Sequence, residues 1–169
     1  IQLTYAPMVD ISYDPRWGRI METSGEDAYL CGELAAARVR GFQGDDLTSP
    51  HTIAACVKHF VGYGAVMAGR DYQETDVSLR KLQEIYLPPF QAAINAGVAS
   101  VMCAYTSYDG EPLTMNYFMN EEVLRKQMQF KGLLMTDWTT FQHAVTEGAA
   151  DNGQEAAERG IKSGIDMDM

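Results

Sequence analysis

Leu133, Leu134 and Met135 form a short apolar run that stops abruptly at Asp137 and Trp138. An apolar run without polar alternation reads as a strand buried on both faces, as in parallel sheets, and its end is where strand gives way to loop. The pattern occurs twice upstream. Ile53 to Val57 leads into Lys58, His59 and Phe60, and Val98 to Ala104 leads into Tyr105. Between these runs lie stretches of helical period. Leu3 to Met8 reads as a strand and Glu26 to Phe42 as a helix stopped near Gly41 and Gly44. Ser78 caps a helix from Leu79 to about Ala96 with Gly97 as its stop, and Pro88 and Pro89 must kink or split it. Helices from Asn120 to about Gln129, around Phe141 to Glu147 and from Gly153 to Ser163 follow, with Ile165 to Met169 as a terminal strand. Strand and helix alternate throughout, which predicts an α/β fold with a parallel sheet and right-handed crossovers. The count is about five strand-helix units, and a closed barrel of this kind needs eight. The sequence therefore predicts a partial (β/α)8 TIM barrel with its ends missing, a single incomplete domain over residues 1–169. A piece of this kind would expose sheet edges and apolar surface, so we expect missing barrel segments, or a second chain or domain, to complete the closed fold.

Composition narrows the partners. The formal charge of −10 lacks the Lys and Arg clusters that phosphate backbones require, which excludes nucleic acid. No apolar run is long enough to suggest a membrane span. Cys31, Cys56 and Cys103 are odd in number, widely spaced and set in apolar surroundings, so they read as buried thiols; unpaired cysteines weigh against an oxidising compartment. His51, His59 and His143 show no ligand spacing, and we expect neither a metal nor a cofactor. The GYGAVMAG stretch lacks the Lys-Ser/Thr ending of a phosphate-binding loop.

In barrels of alternating strands and helices, chemistry sits where strands end. Asp137 at such an end has two readings, an N-cap for the helix opened by Thr139, Thr140 and Phe141, or a reactive carboxylate. Three strand ends converge on one rim with a cation, an imidazole, a phenol and a carboxylate: Lys58, His59, Tyr105 and Asp137. Lys and His donate to hydroxyl oxygens, and a carboxylate accepts from hydroxyls or attacks carbon, so the set suits a sugar. His59 alone would be read as a satisfied core histidine. Because the Lys58-His59 pair sits between Val57 and Phe60, at least one polar head must turn to the rim. Asp14-Pro15 is turn chemistry, which favours a structural pair between Asp14 and Arg16. Glu147 and Glu155 read as solvated helix faces.

Four blocks carry a resemblance: APMVDISYDPRWGRIMETSGEDAYL from Ala6 to Leu30, VKHFVGYGAVMAGRDY from Val57 to Tyr72, SVMCAYTSYDG from Ser100 to Gly110 and FKGLLMTDW from Phe130 to Trp138. In order and spacing, with the closing KSGIDMDM, they resemble the family 3 glycoside hydrolases, within it the bacterial periplasmic β-glucosidase branch. The resemblance implies retaining hydrolysis of terminal β-glucosyl residues, with Asp137 as nucleophile and Lys58, His59, Arg19 and Arg70 holding sugar hydroxyls. Lys58 and Arg70 would favour the ionised carboxylate. Tyr105 matches a tyrosine that approaches the nucleophile, and Trp138 is placed to stack on a sugar; Trp17 reads as loop core. Asp10, Glu22 and Asp71 are candidate supporting acids. The resemblance also implies non-proline cis peptide bonds within KHFV. Retaining enzymes hold two carboxyl groups roughly 5 to 5.5 Å apart, and the family's acid/base glutamate belongs to a later domain absent from this chain, so we expect the chain alone to be inactive. It further implies a periplasmic or secreted enzyme whose targeting segment would lie upstream of Ile1.

The hexosaminidase branch carries a Pro, Gly, His, Gly run after KHF, where this chain has Val61, Gly62, Tyr63 and Gly64, which disfavours an N-acetylglucosamine substrate. A β-xylosidase of the same family remains open. So does a noncatalytic sugar-binding scaffold. A Schiff-base aldolase using Lys58 is conceivable, but it has no job for Asp137 and Trp138, and borohydride trapping with a carbonyl substrate would expose it.

Overall fold

The computed structural model describes residues 2–169. Strands β1 (Leu3–Thr4), β2 (Ala54–Phe60), β3 (Ser100–Cys103) and β6 (Leu133–Met135) pair in the order β1-β2-β3-β6, all parallel. Residues 165–169 run alongside β6 but form a bridge at Met135 and Met167 rather than the predicted strand; Thr136 N donates to Met167 O at 2.9 Å and Thr139 N to Met169 O at 2.8 Å. The first predicted strand is likewise short, with Met8 returning to bridge Lys58. A small antiparallel hairpin, β4 (Ser107–Tyr108) and β5 (Glu111–Pro112), was not predicted. Its turn is Asp109-Gly110 with φ of 52° and 79°, the two left-handed positions that an Asp-Gly turn supplies.

The helices lie where helical period and capping chemistry put them. Helix α1 (Ala28–Gln43) starts at Asp27, whose carboxylate accepts from Leu30 N at 2.7 Å. Ser78 caps α2 (Leu79–Lys81), and the helix then widens into a π turn over Leu82–Tyr86 before α3 (Leu87–Asn95). Pro88 and Pro89 fall in the first turn of α3, where their missing N–H groups have least to lose, and Leu87 N donates five residues back to Leu82 O. The expected split is thus a local widening. The predicted helix at Asn120 is a second π stretch, Phe118–Gln127, followed by α4 (Thr140–Thr146) and α5 (Gly153–Lys162) with Asn152 as cap. Helix α1 packs against α3 at Gly32, where a Cβ would stand 3.1 Å from the Ala92 Cβ; absence of a side chain lets the helices close.

Two apolar clusters occupy the two faces of the sheet. Val57, Phe60, Val101, Cys103 and Leu134 point into the layer beneath the helices. Cys56, Met102 and Met135 point to the other face, packed by Leu3, Leu133 and Met169. Successive strand side chains alternate, so Lys58 follows Cys56 and Asp137 follows Met135 onto that second face. All three cysteines are buried and free.

Candidate active site

The ladder between β2 and β3 slips after Lys58, with Lys58 opposite Met102 and Phe60 opposite Cys103, so His59 is an extra residue in the strand. A bulge of this kind re-aims a side chain. It lets Phe60 return to the helix layer while Lys58 and His59 both serve the strand end. The Lys58-His59 and Phe60-Val61 peptide bonds are cis, as the resemblance implied.

Asp137 lies two residues past Met135. Its Oδ1 accepts from Trp138 N at 2.7 Å, and its Oδ2 stands 3.5 Å from His59 Nε2. The carboxylate does not cap α4. At the start of that helix the Asp137 carbonyl accepts instead, from Thr140 N at 3.4 Å and from Thr140 Oγ1 at 2.7 Å. A cavity of about 350 Å³ opens over this point, lined by Tyr5, Lys58, Met102, Asp137, Trp138 and Met169. Among the described residues the Lys58 ammonium has no hydrogen-bond or ion-pair partner, and Trp138 is 67% exposed.

Behind this wall sits a charged network. His59 is buried, its Nδ1 2.8 Å from Asp10 Oδ2, which also accepts from the His59 backbone N–H at 3.1 Å. Arg19 Nη1 lies 3.2 Å from His59 Nε2, while Nε and Nη2 clasp Glu22 at 2.7 and 2.9 Å. The hydrogen-bonded Glu22 holds the Arg19 guanidinium proton more firmly than usual; in turn Arg19, then the charges of Lys58 and His59, hold the Glu22 carboxyl low. The Arg19 guanidinium lies 5.6 Å from the centre of the Tyr63 ring, whose edge meets His59 at 5.0 Å. Burial pushes the Tyr63 phenol up, helped by the nearby Asp71 carboxylate.

Tyr105 reaches the same region through the backbone next to Asp137. Its hydroxyl donates to the Trp138 carbonyl, and burial followed by the Asp137 charge pushes its phenol up to about 12. Tyr72 and His143, which sequence reasoning did not single out, pack their rings on Tyr105 at 4.8 and 5.6 Å. Arg70 is exposed and makes no side-chain hydrogen bond or ion pair among the described residues. Trp17 is fully interior, its indole N–H donating to Asp71 at 3.0 Å. Gly69 permits this contact, since a Cβ there would lie 2.7 Å from the Trp17 backbone N at φ +67°. Arg16 grips Asp14 at 2.7 Å and holds its carboxyl down at about 2. The place of Tyr63 between His59 and Trp17 depends on contacts between distant segments and leaves no periodic signal in the sequence.

Residues 1–169 match the Glycosyl hydrolase family 3 N terminal domain, and the chain belongs to that family. It is 37% identical to the periplasmic beta-glucosidase of Salmonella typhimurium over 100% of its own length and 22% of that protein. A beta-xylosidase of Formosa agariphila is 38% identical over 98% of the chain and 24% of the relative. The solved beta-glucosidase of Listeria innocua, in complex with isofagomine, superposes with a TM-score of 0.96 at 45% identity, covering 99% of this chain and 24% of that one. The chain thus spans about a quarter of the length of these proteins, and the partial barrel is the shared fold.

Proposed function

We propose that the complete protein carrying this chain hydrolyses terminal non-reducing β-D-glucosyl residues by a retaining double displacement, with Asp137 as nucleophile. The observation that carries this reading is the placement of the Asp137 carboxylate on the wall of the 350 Å³ cavity beside Lys58, a volume in the range of small-ligand pockets. Oδ1 is engaged by Trp138 N, while Oδ2, at 3.5 Å from its nearest partner, is too far for a full hydrogen bond and keeps a lone pair for attack. In the first step Oδ2 bonds to the anomeric carbon as the bond to the leaving oxygen breaks, and that oxygen takes a proton from a general acid. In the second step water, deprotonated by the same group, displaces Asp137 and returns the sugar with its original configuration.

Residues 1–169 then make up part of an N-terminal barrel domain, and the acid/base glutamate belongs to a further domain of the complete protein. Lys58, Arg19 and Arg70 donate to sugar hydroxyls, His59 supports the site from behind, and Trp138 offers a face for stacking. General acid catalysis contributes typically 10² to 10⁴-fold, so this chain alone should show negligible turnover. The substrate is a β-glucoside or β-linked oligosaccharide, and the named location of the Salmonella relative supports a periplasmic or secreted protein. A second reading, β-xylosidase, is favoured by the Formosa relative; the two sugars differ by one hydroxymethyl group, which these residues do not discriminate.

The test is a paired assay of the complete protein on aryl β-glucoside and aryl β-xyloside, wild type and Asp137→Ala. Asp137→Ala should lose turnover by on the order of 10⁴-fold or more, the scale seen on removing a nucleophile, and azide should restore cleavage with inverted configuration. Near-normal turnover by Asp137→Ala would remove the nucleophile from the account.

A further inference from the structure

Asp10 is the most deeply placed acid of the site. Its side chain and that of His59 are each 1% exposed, and the segment bearing it is pinned to β2 by Val9 N donating to Lys58 O at 2.8 Å. One oxygen, Oδ2, accepts from the backbone N–H of His59 at 3.1 Å and lies 2.8 Å from its Nδ1. The other, Oδ1, is buried with no partner among the described residues. A buried carboxylate with an idle oxygen is costly to keep. If only an acceptor for two N–H groups were needed, an amide oxygen would serve and the charge would be superfluous.

The other edge of the imidazole explains the preference. His59 Nε2 is faced by Arg19 Nη1 at 3.2 Å and by Asp137 Oδ2 at 3.5 Å. A guanidinium can only donate and an ionised carboxylate can only accept, so the first contact needs a lone pair on Nε2 and the second needs a proton. In both arrangements Nδ1 carries a proton, because Asp10 can only accept. The excluded arrangement is the neutral tautomer with a bare Nδ1, which would turn an Nε2 proton onto the Arg19 donor. Asn at position 10 offers a donor as well as an acceptor and would admit it. Which ring nitrogen is protonated is set by the bond the other one makes.

We propose that Asp10 is a positioning residue that keeps the His59 Nδ1 protonated and its Nε2 directed at Arg19 and Asp137, so that Arg19 holds its place at the sugar site. The catalytic part of this inference rests on the function proposed above; the state of the His59 ring does not.

The test uses the complete protein with Asp10→Asn, alone and combined with His59→Gln. Loss of a hydrogen bond to a charged group predicts that Asp10→Asn lowers kcat/KM about tenfold to a hundredfold in the protein that stays folded. In the His59→Gln background the same change should cost nothing further, because its effect runs through the imidazole. Equal losses in both backgrounds, or none in the first, would overturn the proposal. Two-bond ¹H–¹⁵N spectra of histidine-labelled protein give a readout independent of turnover, with His59→Gln to identify the signal. Wild type should show a protonated Nδ1, and Asp10→Asn should gain the Nε2-protonated tautomer. A bare Nδ1 in the wild type, or an unchanged ring signal in Asp10→Asn, would overturn the proposal even if turnover fell. Wild-type protein without glycosidase turnover but with the expected ring states would sink the proposed function and uphold the Asp10 lock.

Discussion

At the N-terminal ends of the strands, Gln43 is buried with both polar atoms of its side chain in use. Its oxygen accepts from Ala55 N at 3.1 Å and Ala99 N at 2.9 Å, and its nitrogen donates to Gly97 O at 2.8 Å, stapling the starts of β2 and β3. Beside it Arg125 donates to Gly132 O and to Asp166 Oδ2, both at 2.6 Å, and Asp166 also accepts from Leu134 N at 2.7 Å, anchoring β6. The C-terminal ends are arranged in the opposite way. There, among the described residues, Lys58 has no partner on the cavity wall, while behind it one imidazole nitrogen faces both a donor and an acceptor and Asp10 keeps a buried oxygen unmet. Polar groups that close on one another hold a structure together. Groups left unmet around a cavity are what a polyhydroxylated ligand could complete.

This contrast predicts opposite phenotypes at the two ends. Gln43→Ala carries the largest stability effect. It leaves the Ala55 and Ala99 N–H groups without their acceptor, at roughly 1–3 kcal/mol for an unmet buried group, so a total loss of about 2–4 kcal/mol is expected in denaturant titration, with KM unchanged in the enzyme that remains folded. A Gln43→Ala protein as stable as wild type would break the contrast at its base. Lys58→Met tests the other end. It should lower kcat/KM about tenfold to a hundredfold, the scale of a hydrogen bond to a charged group, while leaving the melting temperature equal or slightly higher. Lost stability with normal kinetics would make Lys58 a structural residue.

The smallest effect is a titration. The Tyr105 phenol is raised to about 12 by burial first and by the Asp137 charge second. A neighbouring negative charge disfavours the phenolate, so Asp137→Asn should bring the Tyr105 value down, though not to that of a free phenol, because burial persists. Ultraviolet difference titration against a Tyr105→Phe control reads it. An unmoved value would place Asp137 and Tyr105 farther apart electrically than the fold does.

Much of this was legible in the sequence for identifiable reasons. The strands of β2, β3 and β6 are continuous apolar runs, α1 and α5 have periodic faces and side-chain caps, and the strand-end residues Lys58, His59 and Asp137 follow directly from where those runs stop. Arg19 was found through its motif alone. The π widening before Pro88 is a compromise between a proline pair and a packed helix, which no residue pattern specifies. Ile165 to Met169 has strand-like residues yet makes only a bridge with β6. The hairpin at Asp109-Gly110 carries a signal, the Asp-Gly pair, but its two-residue strands are too short to show the alternation that would mark them beside the stronger run before it. What the sequence hid most completely was the pairing of distant groups: Asp10 with His59 across 49 positions, and Tyr105 with the Trp138 carbonyl across 33.

The central claim is that Asp137 forms a covalent bond to the sugar, and trapping tests it most directly. The complete protein would be incubated with an activated 2-deoxy-2-fluoro-β-glucoside, whose fluorine slows breakdown of a glycosyl ester, then digested and its peptides weighed. The account predicts one fluorosugar on the peptide containing Asp137 and none in Asp137→Ala. A label on a different carboxylate, or an inverted product from the wild-type enzyme with no label at all, would contradict it.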